Sequence, residues 1–460
     1  MSVTASKLGS SPIAMDWTNL GLTPSHAMDL DSVTLAWPKL KARFTSGEIG
    51  FYEAPIKNEL SQANESGKLA QGLLEKKMFT DCLVLGIGGS SLGPLSVLQA
   101  LPEKRKNNIR FHIMENPDPI DWRSTLAELD PETTLICPVT KSGTTFETMA
   151  QLLLALEWTG RSRFKSHIVA ITDPTQGDLR AFATREGIST LAIAPSIGGR
   201  FSIFSPVGLF FIALSGLSVS DFVLGAKQVH DYVEKTPHEK NPLFILGHEL
   251  LRTSKERPIH VCMPYSTRLK PIGPWFVQLW GESLGKNGKG FTPIAASGAT
   301  DQHSILQLLR DGPDDKVTVF MTVDSVDDVV KIPKAPLASD PKNRETYPAF
   351  QILEGHTLQE LLSVEQMATS RVLTKNKRPN LTFKIDRLDE RSMGALYFAL
   401  CVLTSFTGTL WDINPFDQPG VEEGKVYIRE ALSRNHDESL AKSDLDDDNS
   451  PVGRLRRDRT

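Results

Sequence analysis

The sequence has few of the features that mark secreted or metal-binding proteins. Only four of its 460 residues are cysteine, and no two of them form a CxxC pair. Each cysteine lies within an apolar run, which predicts a buried, reduced thiol and argues against a disulfide framework or a zinc knuckle. The ten histidines are scattered, and His248-Glu249 lacks the second histidine of an HExxH motif. The sequence therefore predicts no metal site.

An excess of charge of one sign is also missing. Lys and Arg number 51 and Asp and Glu number 55, which gives a formal net charge of -4. This balance argues against nucleic acid or an anionic membrane as the main partner. The N-terminus lacks the basic and apolar segments of a signal peptide, and the stretches PVGLFFIALSGLSV and LYFALCVLTSFTGTLW fall short of a membrane span. We expect a cytoplasmic protein in which the second stretch is a buried helix.

Short apolar runs alternate with helical patterns along most of the chain. DCLVLG is followed by TLICPVT from Thr134, HIVAIT from His167 and LAIAP from Leu191. A second set begins with PIHVCMP from Pro258 and continues with KVTVFMTV from Lys316. Buried strands that alternate with helices predict parallel-rich sheets covered on both faces, so the expected fold class is α/β.

The same pattern suggests a division of the chain into four parts. Residues 1–70 are expected to be a mainly helical N-terminal segment. Residues 71–220 and 221–432 are expected to form two α/β subdomains. Residues 433–460 are charged and lack Phe, Trp and Tyr, which predicts a disordered tail.

Two polar loops follow strands of the first set. GIGGSSLGP, from Gly86, places glycines where backbone N–H groups can approach an anion, although a tight strand-to-helix turn explains it equally well. It does not match the GxGxxG fingerprint, which argues against a nicotinamide dehydrogenase. TKSGTTFET, from Thr140, clusters four hydroxyls at a predicted helix N-terminus. One helix cap needs only one hydroxyl, so this cluster favours a phosphate site.

Two further motifs carry charged groups. In GGRFSIFS, Arg200 follows two glycines in an apolar setting. Its guanidinium could stabilise negative charge that develops on oxygen, or it could be tied to a carboxylate of the fold. In QLWGESLGK, Gln278 and Glu282 are four residues apart and share a helix face. Aromatic residues nearby in sequence would raise the pKa of Glu282 and suit it to general base catalysis, whereas the alternative is an exposed helix glutamate.

The last two candidates are single residues in loops. His303, in ATDQHS, lies between a polar loop and a helical run, where catalytic residues often occur, although a lone histidine is more often structural. Lys425 ends the loop FDQPGVEEGK, where a lysine is ordinarily a solvated charge.

Together and in this order, the six motifs closely resemble the glucose-6-phosphate isomerase family. They extend from Gly86 to Lys425. The resemblance implies two sugar-isomerase (SIS) subdomains, each a flavodoxin-like αβα unit, with the active site between them. It also implies a homodimer in which His303 acts in trans, and a reaction without metal or redox cofactor.

The resemblance also implies roles for individual residues. Glu282 is similar to the base that moves a proton between C2 and C1, and Arg200 to the group that stabilises the enediolate. His303 and Lys425 resemble the ring-opening residues. The substrate-binding candidates are Gly89, Ser90, Thr140, Lys141, Ser142 and Thr145 at the phosphate end and Gln278 and Gln418 at the sugar. Thr140 departs from the family, which usually has Ser there, while SGTT is typical of its bacterial members.

The implied activity is the interconversion of glucose 6-phosphate and fructose 6-phosphate through ring opening and a cis-enediolate. One alternative is a phosphosugar-binding regulator, but the joint presence of Glu282, Arg200, His303 and Lys425 argues against it, and no helix-turn-helix is evident. Another alternative, an isomerase of a different phosphosugar such as mannose 6-phosphate, stays open because the same base would serve.

Overall fold

The computed structural model of this chain divides into two units. The units are Met1–Pro415 and Phe416–Thr460. The described residues are 6–21, 30–57, 62–334 and 348–433. The predicted disordered tail therefore lies outside the described residues from 434 onward, and Ser433 is the last residue of a helix.

The secondary structure alternates strands and helices, as the sequence predicts. The strands are β1 (Ser6–Lys7), β2 (Ile13–Asp16), β3 (Asp81–Leu85), β4 (Arg110–Met114), β5 (Thr134–Thr140), β6 (Val169–Thr172), β7 (Ser189–Ala192), β8 (Ile259–Pro264), β9 (Thr292–Ala295), β10 (Lys316–Ser325) and β11 (Asn380–Arg387). The helices are α1 (Leu30–Thr45), α2 (Ala54–Lys57), α3 (Gln62–Glu75), α4 (Leu92–Ala100), α5 (Pro119–Ala127), α6 (Phe146–Thr159), α7 (Phe164–His167), α8 (Asp178–Glu186), α9 (Pro206–Leu214), α10 (Val219–Lys235), α11 (Pro242–Arg252), α12 (Ile272–Leu284), α13 (Leu306–Asp311), α14 (Pro348–Leu353), α15 (Leu358–Lys375), α16 (Glu390–Leu410) and α17 (Glu422–Ser433).

The first sheet is five-stranded and wholly parallel. Its strand order is β4-β3-β5-β6-β7, and each pairing is parallel. Every residue of β3 and β5 is buried, because helices cover both faces of these central strands. On one face, Leu83 and Ile136 of the sheet share a core with Leu152 of α6 and Leu179 of α8. This is the flavodoxin-like order, in which the chain reverses direction across the sheet between β3 and β5.

The second sheet is mixed and includes the N-terminus. Its order is β1-β2-β11-β10-β8-β9, with β8 to β11 parallel and β1 and β2 antiparallel. Helices α1 to α3 fill much of the first 75 residues, but the β1–β2 hairpin was not foreseen. Ile13 and Met15 alternate with half-buried residues and pair with Ile385 and Phe383 of β11, so the hairpin is held by the sheet that it extends.

Helix α16 is the central helix of the larger unit. At 21 residues it is longer than the apolar stretch predicted, and its length and hydropathy alone would suffice to cross a membrane. However, 89% of its most apolar window is buried inside the protein, so the prediction of a buried helix is confirmed. Hydroxyl groups such as those of Thr404 and Thr407 donate to carbonyls one turn earlier, which satisfies them within the core.

Candidate functional site

Two of the predicted loops emerge at the same edge of the first sheet. Strands β3 and β5 are adjacent and parallel, so the loops that follow them begin side by side. One loop leads through a short 3₁₀ helix, Gly88–Ser90, into α4, and the other leads into α6. Ligands of open α/β sheets bind outside the carboxyl ends of the strands at this point of reversal.

The hydroxyl cluster after β5 is bonded mainly to itself. Thr140 Oγ1 lies 2.7 Å from Thr145 Oγ1 and 3.4 Å from Ser142 Oγ. Thr145 occupies the N-cap position of α6, yet its side chain makes no capping hydrogen bond. The helix-cap explanation of the cluster is therefore weakened, and the helix N-terminus retains N–H groups that can meet an anion.

Lys141 is positioned by a neighbouring loop. Its Nζ donates to the Pro195 carbonyl at 2.7 Å, a contact that the sequence did not suggest. Burial lowers the pKa of Lys141, and Asp173 acts in the opposite direction. The ammonium is thus held beside the hydroxyl-bearing loop in a partly desolvated position.

The loop after β3 touches the arginine motif through glycine. A Cβ on Gly89 would lie 2.3 Å from the carbonyl carbon of Gly199, so no larger residue fits there. Ser202 Oγ also donates to the Gly89 carbonyl at 3.2 Å. Gly88 has a φ of +60°, which favours glycine, and a Cβ there would lie 2.8 Å from Gln278 Nε2, so the Gln278 side chain would have to move. Glycines here allow two loops and α12 to meet, a role independent of substrate.

Arg200 is buried, and its hydrogen-bond partners include three groups that are distant in sequence. It is 2% exposed. Its Nε donates to Ser283 Oγ at 2.7 Å, one terminal nitrogen to Glu282 Oε2 at 3.1 Å, and the other to the Pro415 carbonyl at 2.7 Å. Arg200 is therefore tied to a carboxylate of the fold, and that carboxylate is the candidate base Glu282. Ser283 and Pro415 were missed, although Ser283 adjoins the glutamate within the GESLGK motif.

Gln278 and Glu282 share a face of α12, as their spacing predicts. Gln278 Nε2 donates to Glu282 Oε1 at 3.4 Å, while Gln278 Oε1 is buried with no hydrogen-bond partner among the residues described. The aromatic residues Trp275 and Trp280 are each 1% exposed and belong to the core, whereas the Glu282 side chain is 34% exposed. The neighbour that dominates the Glu282 carboxylate is thus Arg200 rather than the aromatic residues.

His303 makes no hydrogen bond to this pair. It ends a short 3₁₀ helix, Thr300–His303, and is exposed. Among the described residues its ring makes no hydrogen bond. Its loop is nevertheless fixed, because Asp301 Oδ2 accepts from the Ser297 N–H at 2.7 Å and the Tyr265 hydroxyl donates to Gln302.

The smaller unit carries the remaining two candidates. Gln418 precedes a 3₁₀ turn, Pro419–Val421, and Lys425 lies in the first turn of α17. Lys425 Nζ is 2.7 Å from Glu422 Oε1, and both side chains are more than half exposed. This exposed i, i+3 pair holds the lysine only weakly.

The cysteines are buried, as predicted. All four are free thiols. Burial raises the pKa of Cys262 to about 12, which makes this thiol unreactive. Across the part of the chain that the structure describes, no group of three or more His, Cys, Asp or Glu residues could hold a metal ion.

Comparison with known proteins assigns the chain to a known family. The model of the phosphoglucose isomerase family matches residues 48–451. The chain belongs to the phosphoglucose isomerase family. Among similar proteins, glucose-6-phosphate isomerase of Carboxydothermus hydrogenoformans is 37% identical over 425 residues, covering 88% of this chain and 89% of that protein. Glucose-6-phosphate isomerase of Rubrobacter xylanophilus is 42% identical over 364 residues, covering 76% and 82%.

Solved structures confirm the predicted α/β fold. A hypothetical protein from Thermus thermophilus superposes with a TM-score of 0.83 at 33% identity, covering 92% of this chain and all of that one. A glucose-6-phosphate isomerase from Chlamydia trachomatis superposes with a TM-score of 0.81, covering 99% and 93%, and at 21% identity it supports the fold alone.

Proposed function

We propose that this protein is a glucose-6-phosphate isomerase that interconverts D-glucose 6-phosphate and D-fructose 6-phosphate in glycolysis and gluconeogenesis. The observation that carries the proposal is the contact between Arg200 and Glu282 at 3.1 Å beside the two phosphate-loop candidates. A partly exposed carboxylate held by a buried guanidinium supplies both groups that an enediolate mechanism needs. The family membership supports the same conclusion, and we expect the enzyme to act in the cytoplasm.

The phosphate is the positioning handle. Its oxygens would accept from the hydroxyls of Ser90, Thr140, Ser142 and Thr145 and from N–H groups at the start of α6, with Lys141 alongside. When the phosphate is held, C1 and C2 at the other end of the open-chain sugar stay beside the base. The proton transfer then becomes effectively unimolecular.

The proton transfer needs one base and one charge stabiliser. Glu282 takes the proton from C2 of the open-chain aldose, the C2–H electron pair forms the C1–C2 double bond, and the carbonyl electrons move to O1. The proton on O2 then passes to O1 within the cis-enediolate, and the electron pair left on O2 forms the C2 carbonyl. At the same time the electron pair of the C1–C2 double bond takes the proton back from the Glu282 carboxylic acid at C1. Arg200 stabilises the negative charge on the cis-enediolate oxygens, and Gln278 Oε1 accepts from a sugar hydroxyl.

Ring opening is assigned to residues outside this pair. We propose a homodimer in which His303 of one subunit serves the site of the other, and Lys425 assists the transfer of a proton from O1 to the ring oxygen. The exposure of His303, whose ring makes no hydrogen bond to any described residue, supports action in trans. Gln418 is proposed to contact the sugar.

A coupled assay tests the function. Fructose 6-phosphate is supplied without added metal and glucose 6-phosphate is detected, with mannose 6-phosphate assayed in parallel. We expect rapid formation of glucose 6-phosphate. Binding of the phosphosugar without turnover would favour a regulator, whereas faster turnover of mannose 6-phosphate would favour the alternative isomerase.

Subunit mixing tests the dimer separately. Dimers of the Glu282→Gln chain alone and of the His303→Ala chain alone should each have little activity. A mixed dimer contains one site with both residues intact if His303 acts in trans. Random exchange should therefore restore about a quarter of wild-type activity, since half of the dimers are mixed and each has one working site. No recovery, with exchange shown by mass spectrometry, would contradict action in trans.

A further inference from the structure

A second cavity lies along the edge strand β4, outside the candidate active site. It has a volume of about 550 Å³ and is bordered by the second half of α4, by β4 and by the segment that leads into α12. None of the candidate catalytic or substrate-binding residues lines it. Its apolar wall includes Leu98, Phe111 and Ile113.

The charges that line this cavity are all positive. They are Arg105, Arg110, Arg268 and Lys270, and no Asp or Glu is among the lining residues. Arg110 is paired with Asp81 at 2.9 Å and Arg268 with Glu103, but both carboxylates lie outside the cavity wall. A concave surface whose charged residues are all cations concentrates anions.

Two of these cations lack partners in the described parts of the chain. Arg105 lies over the Phe111 ring, with its guanidinium carbon 5.8 Å from the ring centroid. The Nε of Arg105 is buried and makes no hydrogen bond to any described residue. Lys270 is exposed at the rim and has no carboxylate within ion-pair distance among those residues. Two cations without ion-pair partners on one concave wall attract an anion, which would pair with the accessible parts of both side chains.

We propose that this cavity binds a small organic polyanion. The anionic groups would pair with Arg105, Lys270 and Arg268, and the carbon skeleton would pack against Leu98 and Phe111. The volume accommodates a ligand of several carbon atoms. The site is separate from the sugar phosphate loops, which follow β3 and β5.

Calorimetry with inorganic pyrophosphate as the probe tests the proposal. The candidate active site is first saturated with sorbitol 6-phosphate, which has no carbonyl group to isomerise. We expect pyrophosphate still to bind the full-length chain, with one site per chain. Absence of binding under these conditions would overturn the proposal. The binding of sorbitol 6-phosphate by itself is measured separately, so failure of the active-site account is distinguished from failure of this one.

Matched variants locate the site. Arg105→Gln together with Lys270→Gln should weaken pyrophosphate binding at least about tenfold, because two charge-assisted contacts are lost. Lys68→Gln together with Arg123→Gln changes the net charge equally at exposed positions away from the cavity and should leave the affinity unchanged. Equal weakening in both double variants would show a general charge effect and would contradict the proposal.

A surface variant guards against misfolding. Lys270 is exposed, so Lys270→Glu should keep the fold and the isomerase activity while abolishing pyrophosphate binding. Unchanged pyrophosphate affinity in this variant, with turnover of fructose 6-phosphate as the check on folding, would also overturn the proposal.

Discussion

The two polar groups of the candidate site are built in opposite ways. The hydroxyl cluster of Thr140, Ser142 and Thr145 is neutral and bonded largely to itself, and it runs from the buried Thr140 to the exposed Ser142. The pair of Arg200 and Glu282 is charged, and its guanidinium is buried and donates to groups that include Ser283, Glu282 and the Pro415 carbonyl. The difference suggests that a dianionic handle needs adaptable donors, whereas charge that develops during the reaction needs a cation whose position cannot relax.

Apart from substitutions of Glu282, the largest loss of kcat should come from Arg200→Lys. A lysine keeps the charge but cannot reproduce the forked contacts to Ser283, Glu282 and Pro415. We expect kcat to fall by about 100- to 1000-fold with a smaller change in KM, measured in the coupled assay. Arg123→Lys, at an exposed position, is the control. A kcat within twofold of wild type would show that the fixed fork is unnecessary.

The hydroxyl cluster should respond in KM rather than in kcat. Thr140→Val removes one hydroxyl at nearly constant volume and should raise the KM for fructose 6-phosphate about tenfold, because a phosphate contact present in both ground and transition states is lost. Thr140→Ser keeps the hydroxyl that the family usually has there and should behave like the wild type. If Thr140→Val lowered kcat without changing KM, the hydroxyl cluster would not differ from Arg200 and Glu282 in its role, which would contradict the account.

Ser283→Ala tests how firmly the Arg200 guanidinium must be held. It removes the bond at 2.7 Å to Arg200 Nε but leaves the contacts to Glu282 and Pro415. Since the contacts to Glu282 and Pro415 still hold the guanidinium, kcat should fall only about three- to tenfold, with about 1 kcal/mol lost from the free energy of unfolding. Denaturant titration checks the stability change. A loss of kcat as large as that of Arg200→Lys would mean that Ser283 has a direct role.

The smallest predicted effect concerns Lys141 and pH. Burial lowers the pKa of Lys141, so its charge is present below the lowered pKa and is lost as the pH rises through that value. The affinity for sorbitol 6-phosphate should therefore decline a fewfold at alkaline pH, before an ordinary lysine would lose its proton. Lys141→Arg, which stays charged, should remove this decline. An identical pH profile in that variant would exclude Lys141 as its origin.

The sequence predicts the central strands of the sheets better than the short strands at their edges. The parallel sheets follow from apolar runs such as DCLVL and TLICPVT, which are buried along their whole length. The short strands β1 and β9 could not be recognised in this way, because they are brief and partly exposed and depend on a partner strand for their pairing.

The site shows the same limit. The spacing of Gln278 and Glu282 predicts their shared helix face, which the structure confirms. The partners of Arg200 are 82 to 215 residues away in sequence, and no local pattern could identify the Pro415 carbonyl as one of them. The contact between Gly89 and Gly199 likewise depends on tertiary packing.

The central claim is that Glu282 performs the proton transfer while the hydroxyl cluster only binds. The most direct test compares Glu282→Gln with Glu256→Gln, an exposed glutamate, in turnover and in sorbitol 6-phosphate binding. The account predicts that Glu282→Gln lowers kcat by about 100- to 10,000-fold and leaves binding near that of the wild type, while Glu256→Gln changes neither. Near-normal turnover in Glu282→Gln would contradict it.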